Sequence, residues 1–227
     1  MLEIKDLYKS YNKKFILKNI NINVKKNSSL ALIGESGAGK TTLSKLILNI
    51  EKPTKGQINI REKKVNVVFQ DYRSSVNPTF NIDEILKEPF WSTNIKFDKK
   101  ELGNLLQIFN LPNTILDKYP HQLSGGQLQR VCILRAILSK PDFLILDEAF
   151  NALDIYTKAK IVSFLKEQKD LTLFLITHDL EIAVTLCEDI KILYKGDIIE
   201  SLKSNSLKNV KHPYTKMLID SIMKLEK

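Results

Sequence analysis

Two cysteines in 227 residues are too few for a disulfide-stapled scaffold. Cys132 and Cys187 both lie in apolar helical patterns. That reads as small core residues rather than a disulfide, a metal site or a nucleophile. Histidine is almost as scarce: His121, His178 and His212 are dispersed, and no C-x2-C spacing occurs. Long apolar runs are missing too. FLIL at 143–146 and LTLFLI at 171–176 are short, against the roughly 20 residues a membrane-crossing helix needs. The opening stretch MLEIKDLYKSY is charged and alternating, so we expect neither a signal peptide nor an anchor there, and a reducing cytoplasm as the setting. Internal repeats, low-complexity segments and an obvious interdomain linker are absent. The formal charge of +9 comes without a long basic block. Scattered lysines read as a solvated surface, and we expect no nucleic-acid partner.

What remains is an ordinary globular composition, 43% apolar and 27% charged. The length suits one large domain, or one domain with an inserted subdomain. The first third reads as short strands: NININV at 19–24 alternates with period two, and GQINI at 56–60 follows a Pro-Thr-Lys-Gly turn. SLALIG (29–34) is a continuous apolar strand, TTLSKLILNI (41–50) a helix and VNVVFQ (65–70) another strand. From about 78 to 137 the pattern turns helical, in IDEILKEPF, ELGNLLQIFNL and the stretch after LSGGQ, with Pro78, Pro89, Pro112 and Pro120 in the breaks. Strand FLILDE (143–148), a helix around 154–168, strand TLFLITH (172–178) and a helix at 179–187 follow. A hairpin turning at Lys195-Gly196 and an amphipathic helical tail, YTKMLIDSIMKL, complete the chain. Strand–helix alternation of this kind implies a mainly parallel sheet.

GESGAGKT (34–41) fits G-x-x-x-x-G-K-[ST] in full, after an apolar strand and before a helix. We expect Gly34, Glu35, Ser36, Gly37, Ala38, Gly39, Lys40, Thr41 and Thr42 to hold nucleotide phosphates. Lys40 reaches the terminal phosphates and Thr41 holds Mg²⁺. FLILDE ends in two carboxylates. Asp147 is expected on Mg²⁺ and Glu148 on the attacking water, as general base. Gln70 is either a polar strand boundary or a contact to Mg²⁺ and that water. A lone histidine such as His178 is more often structural, but its imidazole N–H suits a γ-phosphate sensor. Tyr11 either packs ordinarily or stacks on adenine, worth about 1–3 kcal/mol by analogy with base–aromatic stacking. LSGGQ (123–127) opens a helix with a serine and two glycines, a second anion-binding helix start. One chain thus carries two phosphate-facing helix starts and one set of other nucleotide parts.

In this order the motifs resemble an ATP-binding cassette (ABC) nucleotide-binding subunit over nearly the whole chain. Walker A is GESGAGKT, the Q-loop FQD with Gln70, the signature LSGGQ, Walker B FLILDE, the D-loop ALD (152–154) and the H-loop ITHD with His178. The resemblance implies an α/β P-loop NTPase with a mainly parallel core sheet, an N-terminal antiparallel β part and an inserted helical subdomain. It implies a single nucleotide-binding domain over 1–227, with the signature subdomain at about 78–137 and a helical tail at about 202–227. ATP and Mg²⁺ are the expected cofactors. In this family two cassettes meet head to tail, so Ser124, Gly125, Gly126 and Gln127 should cover ATP held by a second ABC ATPase subunit, identical or distinct. Two transmembrane permease subunits and an extracytoplasmic solute-binding protein complete the expected assembly, with this chain at the cytoplasmic face of the membrane. Residues near 71–91, including Tyr72, Phe80 and Trp91, are expected to dock a permease.

FQDYRSSVNP (69–78), YPHQLSGGQLQR (119–130), LILDEAFNALD (144–154) and KHPYTKML (211–218) resemble the peptide/nickel importer branch. LSGGQLQRVC together with LDEA is similar to its nickel-type subunits. The cargo this implies is a transition metal, nickel or cobalt, free or chelated, with oligopeptides as the alternative. Two residues depart from the pattern: Ala149 stands where proline is common, and Asn151 where the D-loop often has serine. A soluble, non-transport ABC ATPase is the alternative from another class. It fits less well, since the chain has one cassette and no long heptad region.

Overall fold

The structure is a computed structural model that describes residues 2–62, 64–91, 96–207 and 210–223. Along the chain run β1 (Leu2–Tyr11), β2 (Lys14–Val24), β3 (Ser29–Ile33), α1 (Lys40–Ile47), β4 (Lys55–Ile60) and β5 (Val65–Val68). Helices α2 (Ile82–Lys87), α3 (Lys99–Ile108) and α4 (Gly125–Leu138) follow, then β6 (Phe143–Asp147) and α5 (Ile155–Glu167). β7 (Thr172–Thr177), α6 (Leu180–Leu186), β8 (Asp189–Tyr194), β9 (Asp197–Lys203) and α7 (Pro213–Met223) end it. Two compact units emerge, one from residues 1–63 with 170–227, the other from 64–169.

In the first unit, β1 lies between β2 and β4 in an antiparallel sheet. β1 and β2 are longer than the short strands expected, because bulges let each bend without ending. Asp6 and Asn19 take positive φ at these irregularities, and the Asp6 amide donates to Asn21 Oδ1 at 3.0 Å. Asn12 and Lys13, both at positive φ, close a two-residue hairpin between the strands. β3 pairs in parallel with β7 on one side and β8 on the other. SLALI and TLFLIT are almost wholly buried, as continuous apolar strands in a covered parallel sheet must be. β8 and β9 form the expected hairpin, with Lys195 and Gly196 at φ 49° and 87°.

β9 runs through Lys203, and the helix read at YTKMLIDSIMKL begins at Pro213. Tyr214 is buried, stacks on Tyr194 at 4.3 Å between ring centroids, and its amide donates to His212 Nδ1 at 3.2 Å. Burial pushes the Tyr214 phenol up to about 12. Residues 224–227 of the tail lie outside the described residues, as do 92–95 of the helical stretch.

In the second unit, β5 and β6 pair in parallel, and FLILD is buried at every position. Helices α2, α3 and α4 fall between them in the chain. Each starts on a side-chain cap. Asn81 and Glu84 form a capping box on α2, and Asp98 accepts from two amides of α3. α4 is the buried centre, with Leu128, Val131, Ile133 and Leu134 all under cover. Arg130 ties it to α3 by donating to the carbonyls of Phe109 (3.2 Å) and Asn110 (2.9 Å). That places a cation at a helix C-terminus. Arg135 donates to the Ser75 carbonyl at 2.8 Å and pairs with Glu88 at 3.2 Å.

Candidate nucleotide site

The phosphate loop leaves the end of β3 and enters α1 without a side-chain cap. Gly39, the residue before the helix, has φ 110°, and a Cβ there would lie 2.7 Å from Leu17 Cδ2. Only glycine meets both demands. The Lys40 ammonium is drawn inward: the residue is 7% exposed and donates to the carbonyls of Gly34 (2.7 Å) and Glu35 (3.1 Å). Glu35, Ser36 and Gly37 form an exposed rim, turned by an Ala38 amide bond to the Glu35 carbonyl at 3.1 Å. Thr41 is exposed and Thr42 half-buried at the start of α1. α1 stops at Ile47, short of the expected Ile50, because Asn49 turns left-handed at φ 56°.

Tyr11, 42% exposed at the end of β1, donates its hydroxyl to Glu51, and the Lys9 ammonium sits 4.8 Å over its ring. The hydrogen bond to Glu51 raises the Tyr11 phenol above its usual range, and the same bond lowers Glu51. His178 is exposed one residue past β7. Next to it, Asp179 caps α6 by accepting from the Ile182 amide at 3.1 Å.

In the second unit Asp147 ends β6 and Glu148 follows it, 2% and 6% exposed. Glu148 lies past the strand with φ 50°, a left-handed backbone that a non-glycine residue adopts only when its surroundings impose it. Gln70 stands two residues beyond β5, which stops at Val68. The turn from Asp71 to Ser75 ends the pairing: Ser74 and Ser75 hydroxyls donate to the carbonyls of Asp71 (3.2 Å) and Tyr72 (2.7 Å). Ala149 is fully buried, Asn151 exposed, and Asp154 caps α5 on the Thr157 amide at 2.9 Å. That bond holds the Asp154 carboxyl below its usual range. Trp91 is exposed and meets Phe80 edge-on at 5.4 Å.

The LSGGQ segment forms a complete capping box. Ser124 Oγ accepts from the Gln127 amide at 3.2 Å, and Gln127 Oε1 accepts from the Ser124 amide at 3.0 Å. Its two glycines face different neighbours. A Cβ at Gly125 would meet the Tyr72 hydroxyl at 2.7 Å, the tip of a side chain that can swing away. A Cβ at Gly126 would meet the backbone carbonyl of Ala152 at 2.6 Å. Gly126→Ala therefore forces backbone apart, and overpacking of this kind costs about 1–3 kcal/mol. We expect Gly126→Ala to lower the melting temperature by several degrees and Gly125→Ala to leave it near wild type. Thermal unfolding by circular dichroism checks the pair, and equal melting temperatures would contradict the assignment.

Residue-type reasoning passed over Gln129 and Arg130. Gln129 is 1% exposed and bonded to the backbone on both sides of Asn151. Its one signal in the chain is a polar residue three and four places before Cys132 and Ile133, on the buried stripe of α4. Both cysteines are buried and free, their thiols pushed up by desolvation, as core residues should be.

Among the described residues, no cluster of three or more His, Cys, Asp or Glu could hold a metal ion. Thr41 in the first unit offers a hydroxyl and Asp147 in the second a carboxylate, each a hard oxygen of the kind Mg²⁺ takes. Among the same residues no helix is long and apolar enough to cross a membrane.

The family model for ABC transporter matches residues 17–151. The chain is 33% identical to OppF, the oligopeptide transport ATP-binding protein of Streptococcus pyogenes serotype M1, over 98% of this chain and 81% of that one. It is 36% identical to NikE, the nickel import system ATP-binding protein of Staphylococcus aureus strain N315, over 97% and 99%. In structure it is similar to the ATP-binding cassette MJ0796, a dimer in a post-hydrolysis state bound to ADP and Pi. The TM-score is 0.80 at 28% identity, over 90% of this chain and 99% of that one. With its α/β P-loop architecture, antiparallel N-terminal sheet and helices between β5 and β6, the chain belongs to the ABC transporter family.

Proposed function

We propose that residues 1–227 act as one nucleotide-binding domain, the ATP-hydrolysing subunit of an importer of the peptide/nickel type. One observation carries this reading: the chain holds a buried lysine inside a Walker A loop and a capped LSGGQ helix start. A phosphate cradle and a second anion-facing helix start in one chain suit a paired cassette, where each chain's signature covers its partner's ATP. A helix N-terminus carries about half a positive charge, so the lid favours ATP over ADP. Loss of the γ-phosphate loosens the pair, which makes closure a ligand-driven switch.

In this reading the residues of 34–42, with Tyr11, bind ATP. Thr41, Gln70 and Asp147 hold Mg²⁺, which neutralises charge on the phosphates when bound. Glu148 takes the proton of the attacking water, oriented with Gln70, and His178 senses the γ-phosphate. The partner is a second ABC ATPase subunit, a distinct chain by preference. Two permease subunits carry the membrane path and an extracytoplasmic binding protein delivers the cargo. The chain works at the cytoplasmic face of the membrane.

For cargo we propose nickel or cobalt, free or chelated, on the LSGGQLQRVC and LDEA resemblance and the similarity to NikE. Similarity to OppF makes oligopeptides the second reading. Deleting the gene should lower cellular nickel or cobalt under metal limitation and leave growth on peptides intact. Normal metal content with lost peptide use would reverse the order.

A further inference from the structure

The side chain of Gln129 joins α4 to the loop after β6, bonding two backbone groups of that loop four residues apart. Its Nε2 donates to the Glu148 carbonyl at 3.3 Å, and its Oε1 accepts from the Ala152 amide at 2.9 Å. An amide donates at one atom and accepts at the other, so one neutral group of this length satisfies both backbone partners. Leucine offers neither atom, and an ionised glutamate offers only acceptors. The side chain is 1% exposed, so each lost bond leaves a buried polar group unmet.

What Gln129 holds is the strained step after β6. Glu148 sits at φ 50°, and that backbone orientation aims its side chain. Gln129 lies two residues past LSGGQ, on the first turns of α4. On the same side, Gly126 lets the Ala152 carbonyl approach to where its own Cβ would be, so the contact between the α4 start and 148–152 is close-packed as well as bonded.

We propose that Gln129 is a positioning residue that locks the backbone of Glu148 and Ala152 to the signature helix. This rests on the reading of LSGGQ as a lid over the partner's ATP and of Glu148 as the base for this chain's own. In that frame a shift of the lid reaches the base through one side chain, and the two nucleotides of a pair are coupled through Gln129 in each chain.

The test compares Gln129→Leu and Gln129→Glu with wild type in the assembled transporter. A displacement of about 1 Å at a reacting group costs up to about 10²-fold in rate. Gln129→Leu should therefore lose on the order of tenfold or more in kcat, with the ATP dissociation constant within about twofold. Hydrogen exchange at the Ala152 amide should accelerate in Gln129→Leu, which removes its acceptor. It should stay slow in Gln129→Glu, which keeps that acceptor while removing the donor to Glu148 and still losing turnover. If Gln129→Leu does not fold, the Gln129→Glu pattern of slow exchange and reduced kcat decides alone. Unchanged kcat in a folded variant overturns the proposal. So does a loss of ATP affinity in step with kcat. Should wild type show no ATP turnover and Glu148→Gln no effect, the importer reading fails instead, and the exchange rates still decide whether Gln129 holds Ala152.

Discussion

Glu148→Gln is expected to keep ATP binding and to cut turnover by about 10²–10⁴. That loss corresponds to roughly 3–5 kcal/mol of transition-state stabilisation. The change is isosteric. It preserves the volume of a 6% exposed side chain and leaves the positive-φ backbone and its Gln129 bond in place. It removes only the group that accepts the water proton. ATP should still be bound through the loop around Lys40, which lies in the other compact unit. Steady-state phosphate release by the assembled transporter, with nucleotide binding measured alongside, checks the result. Turnover near the wild-type rate would remove Glu148 from the role of base.

Ser124→Arg is expected to abolish ATP-driven closure of the cassette pair on the side that this chain covers. Ser124 lies outside the helix with an extended backbone, and its hydroxyl accepts from the Gln127 amide. Losing that cap alone costs about 1 kcal/mol. Ser124→Ala isolates this part and should fold and close more weakly. Arginine adds a long side chain at a surface position, where the partner's nucleotide is proposed to sit. Light scattering of a hydrolysis-deficient pair with ATP should give the mass of a dimer for the parent and of monomers for Ser124→Arg. Full closure of the arginine variant would end the lid assignment.

Motifs with both a residue signature and an element context could be read before folding. The phosphate loop is one, because SLALI could only be a covered strand and GESGAGKT could only turn back over it. The Lys195-Gly196 hairpin is another, since glycine marks its positive φ. The hairpin at Asn12-Lys13 has the same backbone and no glycine, so its signal was hidden. The length of β1 and β2 was equally obscure, because bulges interrupt the two-residue alternation on which strand reading depends. Helix α1 looked longer than it is. Apolar periodicity continues into Ile50, while Asn49 ends the helix through its backbone alone. Gln129 shows the deeper limit. A glutamine in a helix looks like a surface residue until segments 19 and 23 positions away in the chain pack against it. Pairing across such distances leaves no mark in local pattern.

The central claim is that ATP hydrolysed by this chain drives uptake of cargo. Vesicles carrying the permease pair, this chain and its partner cassette on the inside, with ATP and Mg²⁺ enclosed and the binding protein outside, test it most directly. The measurement is accumulation of labelled nickel chelate or peptide over time. Accumulation should follow enclosed ATP in wild type and be absent with ADP or with Glu148→Gln. Accumulation that persists without ATP, or at the wild-type rate in Glu148→Gln, would contradict the account.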